Sequence, residues 1–477
     1  MTDSAPDARR RRRWLVLDGS VRRLDGGRVL LGGSPLRMFR LTEAGARVVD
    51  RIEAGESVPD GALVARLLAS AAVHPALRAR RIFEDSSSER AESDLVGVVV
   101  PVFGGGADGE LARRIRRVGR AATVVVVDDG SSVPIVVPED VTLVRHHRNL
   151  GPGAARNTGL ARLDTAFVAF VDADVELPPD WLDPLLAHFD DPAVVAVAPR
   201  IVGRPGESRL AHYDAARSPL DLGPAPAPVR PRTRVSYVPA AVLVARTDAV
   251  RAIGGFDPAM RTGEDVDLVW RLVAAGGTVR YEPSVVVEHD ARATFAGWLR
   301  QRHGYGRSAA PLARRHEGAL APVAVSGWSA ASWLLAAAGS PLAGTVVAVG
   351  STLALPRKLG ALEHPVAESI RIAGRGHLYA GRQLAAGITR AWWPVALALA
   401  LLSRRARRAL VAAVVVPALL DWRATRPKLG PLTFTALRAL DDAAYGSGVW
   451  RGMATERTVA PIVPDLSSWP GRQRQPA

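Results

Sequence analysis

The chain has 477 residues, a formal net charge of +15 and no cysteine. That length exceeds a single ordinary domain, and the missing thiols exclude disulfides, thiolate metal sites and cysteine nucleophiles. The basicity is nearly all arginine, with Lys only at 358 and 428, and no nucleic-acid-binding motif accompanies it, so no nucleic-acid partner is expected.

Residues 1–13 read as a disordered basic tail ending in five arginines, a run that either meets an anionic membrane surface or has no partner. The apolar segment at 14–17 is too short for a signal peptide, so a cytoplasmic catalytic part is expected. Residues 14–88 form a small α+β unit. Short strands with Gly turns come first, some at Asp-Gly. An amphipathic helix follows, with Leu41, Ala44, Val48, Val49 and Ile52 on one face, and 63–68 offers a second.

Residues 94–310 alternate strands and helices. DLVGVVVPVF at 94–103 and AATVVVVDDGSS at 121–132 are apolar runs, 141–145 is a short strand, and NLGPGAARNTGLARL at 149–163 is a Gly-rich entry to a helix. AFVAFVDADVE at 166–176 reads as a strand buried on both faces. The alternation implies a parallel sheet with right-handed crossovers. It places Asp128, Asp129, Asp172 and Asp174 on one C-terminal edge, where open α/β sheets bind ligands. Asp172 and Asp174 point the same way and can reach one divalent cation. Glu264 and Asp265 open a predicted helix after Gly263, where carboxylates either complement the helix dipole or do acid–base work. Gly104-x-Gly106-x-x-Gly109 spells a dinucleotide fingerprint. An NAD-dependent oxidoreductase is the rival reading, but it leaves DAD, GED and His289 unexplained.

The C-terminal part, 311–455, is apolar and helical, followed by a tail at 456–477. Residues 318–356 carry no charge, against about 20 apolar residues needed for one membrane-spanning helix. A helical hairpin turning near Gly339-Ser340-Pro341 is expected. Two further arms, 392–403 and 409–420, flank Arg404-Arg405-Ala406-Arg407-Arg408. Each is too short to span and is suited to the membrane interface, with the arginines at the headgroups.

Five segments in order carry a resemblance: VVVPVF at 98–103, VVVDDGSS at 125–132, RNLGPGAARNTGL at 148–160, FVDADVELPPDWL at 170–182 and GEDVDLVWRLVAAGG at 263–277. Residues 94–310 resemble the family 2 nucleotide-sugar glycosyltransferases, which implies an α/β fold of GT-A type with an open, mostly parallel sheet. The resemblance implies Mg²⁺ or Mn²⁺ at Asp174 and His289. It implies nucleotide-sugar contacts from Pro101, Phe103, Asp128, Asp129, Arg156, Asn157 and Asp172, and from Arg302 in a closing segment at 300–307. Asp265 would be the general base of an inverting displacement, and Glu264 would bind acceptor hydroxyls or tune that base. Three features depart from the family pattern: Gly104-Gly105-Gly106 after Phe103, Val238-Pro239-Ala240-Ala241 before the acidic helix, and a closing segment without Q-x-x-R-W.

The N-terminal unit resembles small winged-helix peptide-recognition domains, which present a strand edge to a substrate peptide. The whole order, including RWLVLDGSVRRLDGGRVLLGGSPLR at 13–37, resembles the mycofactocin glycosyltransferases. That implies glucose transfer from a UDP-sugar onto a peptide-derived redox cofactor, building a β-1,4-oligoglucose chain at the cytoplasmic face of the cell membrane. A cell-wall or polysaccharide transferase of rhamnosyl or galactofuranosyl type is the alternative.

Overall fold

The structure is a computed structural model and describes residues 12–76, 95–104, 109–118, 123–360 and 362–466. The chain divides into two compact units, one of Met1–Val202 with Pro219–Asp290 and one of Gly203–Ser218 with Ala291–Ala477.

The first unit is built on a nine-stranded mixed sheet. Its valine-rich strands Val96–Val102, Thr123–Asp128 and Phe167–Val171 are almost wholly buried, as runs covered on both faces must be. Together with Thr142–Arg145 they form the expected parallel block, in which Val96–Val102 lies between Thr123–Asp128 and Phe167–Val171. Antiparallel strands extend it. Val242–Arg246 pairs with Phe167–Val171, and Val194–Gly203 pairs with Val242–Arg246. The long strand Thr278–His289 pairs with Val175–Glu176 and with Ala227–Pro228. Parallel direction puts the C-terminal tips at Asp128 and Asp172 on the same edge.

The N-terminal residues of this unit form three small sheets and two helices, Glu43–Glu53 and Ala62–Ala69. Leu15, Leu30, Phe39, Val49, Ile52, Val58, Val64 and Leu67 make their core. Arg12–Arg13 is a strand paired with Val58–Pro59, not part of a disordered tail. The reason is electrostatic: Arg13 is held by Asp60 and, at 2.7 Å, by Asp191. The rest of the basic run lies outside the described residues, as does much of the linker before 95.

The second unit is helical. Arg209–Arg217, Phe295–Arg307 and Pro431–Glu456 meet around Tyr213, Trp298, Phe434 and Leu437. The latter two helices touch backbone to backbone: a Cβ on Gly306 would stand 1.9 Å from the Tyr445 carbonyl oxygen, and one on Gly448 2.0 Å from that of His303. The expected hairpin is present, with Gly327–Ala337 and Pro341–Ala354 on either side of Gly339. The arginines at 404, 405, 407 and 408 lie between the two expected arms and open the helix Arg404–Thr425, so the second arm is part of a 22-residue helix that follows Trp393–Leu402. Among the described residues no single helix is long and apolar enough to cross a membrane. One bent pair, Pro365–Ala391 with Trp393–Leu402, passes that test jointly at an angle of 92°.

Candidate active site

The site lies on the C-terminal edge of the parallel block. Beyond Val171 the chain leaves its strand, and the Asp172 N–H donates to the Ala241 carbonyl at 2.8 Å. Val175–Glu176 then pairs antiparallel with the far end of Thr278–His289, setting Val175 opposite His289. This register brings His289 Nε2 to 3.4 Å from Asp174 Oδ1. A carboxylate and an imidazole so placed suit a divalent cation. Among the described residues no group of three such side chains forms a ready-made cage. The pair therefore fits an ion that takes its remaining ligands from water and substrate phosphates, as Mg²⁺ does.

Sequence reading passed over Arg114. It donates to the Ala173 carbonyl at 3.0 Å and pairs with Asp290, so it clamps the two segments that carry Asp174 and His289. Nothing in the sequence distinguishes it from the arginines beside it at 113, 116 and 117.

Gly263 takes the left-handed conformation and starts the helix Glu264–Ala274. Asp265 is half-buried, and its Oδ2 accepts from the Ala240 N–H at 3.3 Å. The short segment 240–241 thus reaches Asp172 through one residue and Asp265 through the next. Glu264 is buried, and its pKa is pushed up to about 7, by burial first and then by Asp265, against the pull of Arg156.

Arg156 ties these pieces together. From the helix Pro152–Leu160 it donates to Asp172 Oδ1 at 2.7 Å and to Glu264 Oε1 at 2.8 Å. The guanidinium is buried, is paired with these two carboxylates and stacks over Phe256 at 5.3 Å. Burial raises Asp172 above the usual carboxylate range, and Asp174 adds to this, while Arg156 opposes both.

The remaining expected residues divide. Phe103 is 63% exposed at the end of its strand, which leaves a ring face open to a base. Pro101 lies within that strand, opposite Val127. Asp128 is buried; its Oδ1 accepts from the Ser131 N–H, and its Oδ2 has no hydrogen-bond partner, with Arg145 Nε at 3.5 Å. Three residues have structural partners. Asp129 accepts from the Leu150 and Gly151 N–H groups and pairs with His146 at 2.7 Å, so it holds the Gly-rich loop. Asn157 makes two hydrogen bonds to the Phe256 backbone, one as donor and one as acceptor. Arg302, in the helical unit, is buried against Asp214 and Asp441 and is already neutralised there. Residues 105–108 of the dinucleotide fingerprint lie outside the described residues.

Open α/β sheets bind ligands at this edge, and here the acidic crevice is that of a glycosyltransferase. The profile described as Glycosyl transferase family 2 matches residues 97–243. The chain is 41% identical to the Pre-mycofactocin glycosyltransferase of Mycobacterium tuberculosis, over 94% of this chain and 97% of that protein. It therefore belongs to the pre-mycofactocin glycosyltransferases of family 2. That membership decides against the oxidoreductase reading. The Succinoglycan biosynthesis protein ExoO of Rhizobium meliloti is 29% identical over 39% of this chain and 57% of its own. A solved mannosyltransferase of Pyrobaculum calidifontis, in complex with GDP-Man and Mn²⁺, is 19% identical with a TM-score of 0.40, over 75% of this chain and 87% of its own.

Proposed function

We propose that the crevice transfers glucose from UDP-glucose to pre-mycofactocin by direct, inverting displacement, and that repeated transfer builds a β-1,4-linked chain. Asp265 takes the proton of the acceptor hydroxyl as that oxygen bonds to the anomeric carbon. The bond from that carbon to the diphosphate oxygen breaks, and UDP leaves. The observation that carries this reading is the Arg156 bridge. One guanidinium binds Asp172 on the strand tip and Glu264 on the helix that bears Asp265, which supports a donor side and an acceptor side within one crevice.

Asp174 and His289 would hold Mg²⁺ or Mn²⁺, which when bound neutralises the departing diphosphate. Phe103 offers its exposed face to the uracil, and Asp128, whose Oδ2 makes no hydrogen bond, is the carboxylate for the base or ribose. Glu264, balanced near neutrality, meets acceptor hydroxyls or tunes Asp265. The N-terminal module is read as the acceptor-recognising part, with the sheet-edge strand Arg37–Arg40 and its exposed Arg37, Met38 and Arg40 as the surface for the peptide portion. The enzyme is placed at the cytoplasmic face of the cell membrane.

Asp265→Asn tests the base. Transfer should fall by about 10²–10⁴-fold, while calorimetric UDP affinity in Mn²⁺ stays within about twofold. Near-wild-type turnover would put the base elsewhere. Asp174→Ala should instead weaken UDP binding only when Mn²⁺ is present; unchanged, still metal-dependent affinity would remove Asp174 from the metal site.

A further inference from the structure

Four of the large aliphatic side chains that the helical unit exposes lie in two places. Leu334 and Leu342 flank the hairpin turn at 64% and 78% exposure, and Leu401 and Leu402 end the helix Trp393–Leu402 at 75% and 85%. Arg405 joins the two places. Its Nη1 donates to the Ala338 carbonyl at 3.1 Å, and its Nε would be 3.0 Å from a Cβ on Gly339. Four leucines and the run Arg404, Arg405, Arg407 and Arg408 therefore converge on one tip, and all four arginines are exposed. Trp328, Trp333 and Tyr379 stand exposed on the neighbouring helices.

We propose that this tip is a membrane-docking prow. Leu334, Leu342, Leu401 and Leu402 enter the acyl boundary of an anionic bilayer, and Arg404 and Arg408 meet its phosphates. The unit lies in the interface without crossing it. The inference rests on the membrane location proposed above and specifies how it is achieved. Charge complementarity selects the occupant. Here four cations adjoin strongly exposed leucines, the order of groups met on passing from headgroup to acyl chain. Exposed tryptophan and tyrosine suit the headgroup level. No single described helix is long and apolar enough to span, and the one pair that passes that test jointly is bent by 92° at the break before Trp393–Leu402.

The test is flotation of the full-length chain with vesicles of phosphatidylcholine alone or with added phosphatidylglycerol. Binding should be stronger with phosphatidylglycerol and fall with salt. Arg404→Gln with Arg408→Gln should weaken binding to anionic vesicles by about 25-fold, roughly fivefold per charge, and leave binding to neutral vesicles unchanged. Leu401→Ser with Leu402→Ser should weaken both by about tenfold or more. Manganese-dependent UDP binding should be intact in both variants, which shows that they fold. Failure of the wild type to float, or equal flotation of all three proteins, overturns the proposal. A leucine variant that alters the sedimentation mass of the chain but not its flotation makes the tip a contact between copies and also overturns it. Cell fractionation separates the two readings. If the wild type is found with membranes while both variants float normally, the location stands and this mode of docking fails.

Discussion

Two buried titratable groups tilt stability in opposite directions with pH. Glu264 has a folded-state pKa of about 7 against an ordinary 4.5. Between those values the folded chain keeps a proton that the unfolded chain has released. The resulting stability is complete below about pH 4.5 and is lost as pH rises through about 7. His74 is shifted down from 6.5, by burial first, with Arg280 and Arg234 adding to burial and Asp18 opposing it. Its Nε2 lies 2.7 Å from Asp18 and its Nδ1 3.4 Å from an Arg280 Nη2, a setting that suits the neutral ring with its proton toward Asp18. That stability is present above about pH 6.5 and is lost as pH falls. Urea unfolding from about pH 5 to about pH 8 checks both. Relative to wild type, Glu264→Gln should remove a loss of stability on raising the pH, and His74→Gln should remove a gain. Two variants with the same pH slope would refute the assignment. The carboxylates themselves were legible in the sequence, because strand tips and helix starts are local patterns. The state of each was not, because burial and the reach of Arg156 come from residues far away in the chain.

At the scale of elements, close approach is built from glycine. The helices Phe295–Arg307 and Pro431–Glu456 meet where Gly306 and Gly448 face carbonyl oxygens. A methyl group at Gly448 would press on backbone, which cannot rotate away. Gly448→Ala should therefore cost about 3 kcal/mol or more, seen as a lower urea midpoint for the helical unit; a cost below about 0.5 kcal/mol would mean that the helices separate freely. Helices and strands of this chain follow from period and breaker residues, so the parallel block, the hairpin turn and the acidic helix were all readable. The pairing of Val175 with His289 was not. Register between segments more than a hundred residues apart depends on the whole sheet closing, and no local pattern encodes it.

At the scale of the first unit, the N-terminal module is locked down by charge. Asp18 is buried between His74 and Arg234, and this pairing, with Ser20, holds its carboxyl well below the usual range despite its burial. Arg280, also buried, belongs to the strand that ends at His289. Asp18→Ala leaves the buried His74 without its carboxylate and breaks the ion pair with Arg234, and should cost about 3 kcal/mol. The measurement is the unfolding free energy near neutral pH, where a change within about 0.5 kcal/mol would show that the module is only loosely attached. For the same reason, deleting the module would perturb stability along with any acceptor recognition, so acceptor KM is better read from surface changes at Arg37 and Arg40.

By itself the sequence determined the class of the molecule. Apolar strands ending in acids, a Gly-rich helix entry and an acidic helix start are signals within a dozen residues, set by steric and solvation rules that act locally. Only the tertiary structure decided which partners these polar groups have within the fold. Asp174 and His289 meet through strand register. Arg156, Asn157, Asp129 and Arg302 resemble ligands in their motifs, yet each is claimed by partners on other elements. A buried polar group must be paired, and its partners are chosen in three dimensions.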